Sequence, residues 1–264
     1  MNESSSVLYE VQQSVATITL NRPESLNAMT NGLMKDLVDA LARVETDKSV
    51  RVVVITGSGR GFCAGADLAG HASAKPSDPE PDGKVDDHFN GAMRAIYNSS
   101  VPTVARVNGA AAGGGFGLAL ACDITVAAKN AFFVATFGPK LGIVPDLGTT
   151  WNLPRKAGRA RALGLAMLGD RITAEQAEAW GLIWKVVDDD RLDAEVELIT
   201  NKLVRTSADA MTRIRSVTDA ALDNSFSDQL DLEMEHQAVL IPKNMAEGAS
   251  AFMEKREPEF PGRN

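Results

Sequence analysis

The sequence predicts an α/β protein: a layered core of alternating strands and helices over residues 1–200, then a helical region over 201–264. Short β-branched runs alternate with segments of helical apolar spacing as far as Pro145, the pattern of a layered sheet-and-helix core. Beyond Pro145, helical periodicity dominates and only Ile183–Val187 interrupts it as a strand. A chain of 264 residues with a 44% apolar fraction also buries about three quarters of its unfolded surface, so it needs no disulfide or metal for stability.

In order along the chain, Val7–Gln12 and Val15–Leu20 alternate apolar and polar residues and predict two strands joined by a tight turn, with Arg22-Pro23-Glu24 ending the second. Leu33, Leu37, Val38, Leu41 and Val44 recur at helical spacing behind Thr30, a predicted N-cap. Val50–Thr56 is a β-branched run bounded by Gly57-Ser58-Gly59 and predicts a buried strand. Gly70–Lys84, rich in Pro, Asp and Ser, predicts a mobile loop. A helix over Asp87–Ser99, a strand over Thr103–Val107, a helix from Gly113-Gly114-Gly115 to about Cys122 and a strand over Ile124–Ala128 complete the core pattern. Further helices are expected over Gly158–Leu168, over Thr173–Trp180 with a Thr173/Gln176 capping box, and in three longer stretches from Leu192 onward.

The charge balance, 27 − 35 = −8, argues against non-specific nucleic-acid binding, which needs clustered Lys and Arg. The polar start Met1-Asn2-Glu3-Ser4-Ser5-Ser6 does not read as a secretory signal. The longest apolar stretch, Gly109–Cys122, is too short to span a membrane. Cys63 and Cys122 form no CxxC pair, and His71, His88 and His236 are scattered, so the expectation is a reduced cytoplasmic protein without a zinc site.

Two segments could carry chemistry: Arg60-Gly61-Phe62-Cys63-Ala64-Gly65-Ala66-Asp67-Leu68, and Val107-Asn108-Gly109 through Gly113-Gly114-Gly115-Phe116-Gly117. Each follows a predicted strand and strips away side chains, which lets a ligand approach backbone N–H groups; at Gly114 those groups would start a helix and favour an anion. The same glycines also permit tight strand–helix packing, and spacing alone does not choose. Gly113 and Gly115 are not followed by the third glycine of a dinucleotide loop, since Leu118 stands there, and Gly57–Gly61 leads into no GK[ST].

These segments, with Leu20-Asn21-Arg22-Pro23, Leu26-Asn27-Ala28, Cys122-Asp123, Leu141–Pro145, Thr173–Ala177, Trp180-Gly181-Leu182 and Phe252–Arg256, resemble the crotonase (enoyl-CoA hydratase/isomerase) superfamily over nearly the whole chain. The resemblance implies a crotonase-like spiral of ββα units with a helical C-terminal trimerisation region, assembled as a homotrimer or as a hexamer made of two trimers. It implies an acyl-CoA thioester substrate, no nucleic-acid or membrane partner, and no cofactor, since coenzyme A belongs to the substrate. The oxyanion hole falls on the N–H groups of Ala66 and Gly114. Substrate and CoA contacts fall on Arg22, Ala28, Ala64, Asp67, Leu68, Gly115, Pro145, Phe252 and Lys255, with Arg22, Lys255 and Arg256 expected to supply the positive charge that an acidic chain lacks globally. Lys255 and Phe252 match family positions near the CoA adenosine that are often reached from a neighbouring subunit, while a solvated, structural Lys255 is the alternative.

Family hydratases use two glutamates, and the matching positions here are Gly117 and Gly138. Water addition needs one group to activate water and another to deliver a proton, so the resemblance favours isomerase branches, which carry an acid where Asp146 stands. Leu141–Asp146, Leu153–Arg155, Gly158–Ala162 and Trp180–Trp184 resemble the phenylacetate-pathway ring-epoxide isomerases in particular, and the Δ3,Δ2-enoyl-CoA isomerases share the acid. Asp146 is then a proton shuttle; taken by itself, Pro145-Asp146 also suits a turn or helix cap. As a base it would need its pKa raised from about 3.9 toward 6–7, with Phe137, Val144 and Leu147 as the expected apolar wall. Dehalogenase branches place a Trp where Phe137 stands and a His where Asn90 falls, and both departures count against dehalogenation. A hydratase and a non-catalytic acyl-CoA or RNA binder are the alternatives. The stretch Ala135–Lys140 is one residue longer than in the isomerases, which implies a reshaped pocket wall.

Overall fold

The computed structural model describes residues 5–69 and 88–263. The predicted loop Gly70–Lys84, His71 and the expected Asp87 helix start lie outside the described residues. Two sheets organise the fold. The first has the order β1-β2-β3-β5-β7-β10, formed by β1 (Val7–Gln12), β2 (Val15–Leu20), β3 (Val52–Gly57), β5 (Thr103–Val107), β7 (Ile124–Ala128) and β10 (Lys185–Val187). β1 and β2 are antiparallel and the other pairs parallel. Gln13 and Ser14 both take positive φ, 49° and 66°, the backbone of the tightest hairpin turns. The second sheet, β4-β6-β8-β9, comprises β4 (Gly61–Cys63), β6 (Ala110–Ala112), β8 (Phe132–Val134) and β9 (Ile172–Thr173).

Each central strand of the large sheet runs on into a short strand of the small one: β3 into β4, β5 into β6, β7 into β8. A helix follows each of the first two pairs, α2 (His88–Tyr97) and α3 (Gly114–Ala121). The chain thus repeats ββα and winds as a spiral. The short strands escape a sequence reading because two- and three-residue glycine- and alanine-rich segments show no period. β3 is buried along its whole length, which explains its unbroken β-branched run. Val53 and Ile55 face a core with Leu33, Leu37, Phe62, Ile96, Phe116 and Phe133, while Val52 and Val54 face Leu192, Val196 and Ile199.

α1 (Asn31–Thr46) is capped as predicted, with Leu33 N–H donating to Thr30 Oγ1 at 3.1 Å. α4 runs Thr149–Leu168, broken at Gly158 (φ 79°, ψ 159°), so it begins well before the expected Gly158; Pro154 inside its first half reads as a breaker in sequence. α5 (Ala174–Ala179) carries the capping box, with Thr173 and Gln176 bonded reciprocally at 3.0 and 3.1 Å. α6 (Leu192–Val204), α7 (Ala208–Ala220) and α8 (Phe226–Glu254) form the helical region. Position 200 falls inside α6, whose Leu192, Val196 and Ile199 belong to the core. Among the described residues no helix is long and apolar enough to cross a membrane.

Candidate active site

The loop after β4 lies beside the segment Leu26–Met29. Ala64 N–H donates to Leu26 O, Met29 N–H to Gly65 O at 2.7 Å, and Asp67 N–H to Met29 O at 2.9 Å. In that parallel bridge Met29 faces Ala66 and uses the groups on either side of it, so the N–H of Ala66 points away from Met29. Gly65, at φ 88°, brings this loop onto α3: a β-carbon there would lie 2.8 Å from Ala112 O and 3.2 Å from Gly114 N. No L side chain fits either the backbone or the space. Gly114 opens α3, so its N–H has no intrahelical acceptor. Neither amide has an acceptor among the described residues, and that of Gly114 stands at a helix N-terminus, where the partial positive charge favours an anion.

Asp146 directly precedes a residue that packs on the start of α3. Its neighbour Leu147 is buried and lies on that helix face, with Cδ1 2.6 Å from where a β-carbon of Gly114 would be. The Asp146 carboxyl is reached by solvent, yet desolvation by the surrounding protein raises its pKa above the ordinary carboxylate value, opposed by a smaller effect of its own backbone N–H. Of the expected apolar wall, Phe137 and Leu147 are buried, but Val144 is 75% exposed and does not contribute to burying the acid within this chain. The stretch expected to be one residue longer overlaps a π-helical turn over Phe137–Leu141, a wider turn than an ordinary helix makes.

The two positions where hydratases carry glutamate lie close to backbone. A β-carbon on Gly117 would meet Leu147 O at 2.5 Å and Thr149 Oγ1 at 2.8 Å, and one on Gly138 would meet Ala166 O at 3.2 Å. The residues just after Asp146, Leu147 and Thr149, thus pack on the Gly117 face of α3 and leave no room there for the side chain expected in a hydratase.

Arg22 Nη1 donates to Ala28 O at 2.7 Å and to Asp67 at 3.0 Å, so the guanidinium ties the two site loops together. Ala28 is buried, Ala64 and Pro145 are half-buried, and Ala66 and Leu68 are exposed beside them. Gly115 is buried, with its β-carbon position 2.1 Å from Cys63 O, which gives it a packing role under the site. Phe252, 83% exposed, and Lys255 lie at the end of α8, a helix that packs on α7. The expectation that Arg256 supplies charge for a phosphate needs correction: it is held by Glu247 at 2.6 and 3.0 Å and by Glu254 at 2.7 Å, and in return it holds the Glu247 pKa down to about 2. Asp123 is engaged by Arg215 through both oxygens at 2.6 Å and by Thr103, a structural clamp. Burial pushes both Cys63 and Cys122 thiols up to about 12, so neither is a nucleophile near neutral pH. Among the described residues no three His, Cys, Asp or Glu side chains gather to hold a metal.

Sequence reading missed three supports of the site. Asn27 is fully buried, accepts from Arg22 N–H at 2.8 Å and donates to Gly61 O at 2.9 Å. Asn108 donates to Gly57 O and Gly59 O, both at 2.9 Å. Thr149 is wholly buried beside Gly117. The first two carried a signal, Asn27 within Leu26-Asn27-Ala28 and Asn108 at the head of the glycine-rich segment; Thr149 carried none.

Residues 10–263 match the model of the family described as enoyl-CoA hydratase/isomerase. The chain is 42% identical to a 1,2-epoxyphenylacetyl-CoA isomerase of Escherichia coli, covering 97% of this chain and 98% of that one. It is 30% identical to a trans-2-decenoyl-acyl-carrier-protein isomerase of Streptococcus mutans, over 97% and 98% respectively. Among solved structures, an enoyl-CoA hydratase from Polaromonas superposes with a TM-score of 0.90 at 34% identity, covering 97% of this chain and 99% of that one.

Proposed function

The chain belongs to the enoyl-CoA hydratase/isomerase (crotonase) family, and on that footing we propose that it is an isomerase of acyl-CoA thioesters that shifts a double bond or rearranges a ring epoxide. The observation that carries this reading is that both glutamate positions are glycines, with Gly117 packed against Leu147 O, while Asp146 directly precedes Leu147, whose side chain lies against Gly114, one of two amides (the other is Ala66) without an acceptor among the described residues. The thioester oxygen accepts hydrogen bonds from the two N–H groups. The Asp146 carboxylate removes a proton from the acyl chain, the electron pair is delocalised onto that oxygen as an enolate, and the carboxylic acid returns the proton at another carbon. Nothing is oxidised or reduced, so this chemistry calls for no cofactor beyond the CoA of the substrate. Removing one oxyanion donor typically costs on the order of 10²–10³ in rate.

The isomerases among the relatives support this reading, and the ring-epoxide option rests on the E. coli relative. The hydratase alternative, favoured by the name of the Polaromonas structure, requires a second acid–base group. Phe226, Leu230, Met234, Ile241, Met245 and Phe252 form an exposed apolar line at helical spacing along α8, which supports assembly as a homotrimer or a pair of trimers, with Phe252 and Lys255 reaching a neighbour's CoA. Two buried free thiols suit a reducing cytoplasm. Asp146→Asn should abolish isomerisation of a 3-enoyl-CoA while the ester still binds with nearly unchanged Kd. Retained turnover in that variant contradicts the assignment.

A further inference from the structure

Two buried polar side-chain atoms among the described residues have no hydrogen-bond partner, the Tyr9 hydroxyl and Thr149 Oγ1. The second belongs to the site. Thr149 N–H donates to Asp146 O at 2.9 Å, closing a turn in which Leu147 (φ 50°) and Gly148 (φ 74°) are both left-handed, a conformation that disfavours a branched side chain. The turn presses Leu147 O and Thr149 Oγ1 against Gly117. Gly117 lies three residues after Gly114, about 4.5 Å further along the helix axis. Leu147 spans the gap, with Cδ1 2.6 Å from the β-carbon position of Gly114 and Cβ 3.3 Å from that of Gly117.

Local strain and an orphaned hydroxyl thus sit together one helical turn beyond the amide that would hold the thioester oxygen. Each is unfavourable in the free protein and gains meaning at a functional site. We propose that Thr149 Oγ1 is a specificity-determining contact, which hydrogen-bonds an oxygen on the third carbon of the acyl chain once that chain has displaced the Leu147 side chain. The inference rests on the acyl-CoA reading of the site and deepens it: among the thioesters the site accepts, those whose acyl group carries a hydroxyl, oxo or epoxide oxygen there bind more tightly than the matching hydrocarbon chains. A site built to bond such an oxygen discriminates against the analogue that lacks it.

Calorimetric binding of 3-hydroxybutanoyl-CoA and butanoyl-CoA to the full-length wild type, Thr149→Val and Thr149→Ser provides the test, with a melting curve for each protein. Wild type and Thr149→Ser should bind the hydroxy ester about tenfold more tightly than the plain one. Thr149→Val should lose that preference, with the hydroxy ester weakened about tenfold relative to butanoyl-CoA, and it should not melt lower, because it removes an unpaired buried group without changing shape. Equal affinities in the wild type, or an unchanged preference in Thr149→Val, or equal weakening of both esters, would overturn the inference while leaving the role of Asp146 standing. Failure of the wild type to bind either ester would overturn the acyl-CoA reading and this inference together.

Discussion

Asp146 is asked to be a base and is held where ionisation is disfavoured. Desolvation raises its pKa in the folded protein, so in the window between the unfolded value, about 3.9, and the higher folded value, the native state binds more protons than the unfolded state. Stability therefore falls as pH rises through that window, and the loss persists above it. Asp146→Asn has no such penalty. It should melt higher than the wild type at pH 7, with the difference vanishing below about pH 4; equal melting temperatures at pH 7 would contradict the desolvated placement. The same shift places the acid limb of the kcat/KM profile, which reports the free enzyme, above the ordinary carboxylate range. Asp146 was legible as the acid that remained once Gly117 and Gly138 stood at the glutamate positions. Its surroundings were not, since Val144 looked like a wall and points outward. Thr149 was hidden because its importance comes from the left-handed turn before it, and nothing in Asp-Leu-Gly-Thr announces positive φ at a leucine.

At the level of elements, the site is a junction of α3 with two loops and one turn. The Leu147–Thr149 backbone lies so close to α3 that Gly117→Ala would place its β-carbon 2.5 Å from Leu147 O. Overpacking against backbone typically costs about 1–3 kcal/mol, so denaturant unfolding of Gly117→Ala should show a loss of that size. An unchanged midpoint would mean that the turn yields and that the position tolerates a side chain after all. The longer elements were readable because their periods are long: α1 with its Thr30 cap, the α5 capping box and the β-branched β3 follow directly from residue spacing. β4, β6, β8 and β9 were not, being two or three residues long and fixed by pairing across the chain rather than by local pattern. Those unread strands include β4 and β6, which run directly into the two amide loops.

Over the whole molecule, the −8 charge leaves no global attraction for an anionic thioester. Arg256 is spent on Glu247 and Glu254, and Arg22 on Asp67 and Ala28, whereas Lys255 forms no ion pair with a described residue. Under the proposed function, attraction at the site falls to the uncharged amides and to Lys255 of a neighbouring copy, a proposal that ties binding to assembly. Replacing Leu230 and Met234 on the exposed line of α8 with Lys should shift sedimentation from an oligomer to a monomer and weaken CoA-ester binding together; an unaltered oligomer would exclude that face as the interface. The central claim, proton transfer by one carboxylate without addition of water, is tested most directly by mass spectrometry of a panel of 2-enoyl, 3-enoyl and aromatic acyl-CoA esters after incubation with the wild type and Asp146→Asn. The wild type should give products of unchanged mass that Asp146→Asn does not form. Brisk formation of water adducts by the wild type, or unchanged turnover by Asp146→Asn, would contradict it.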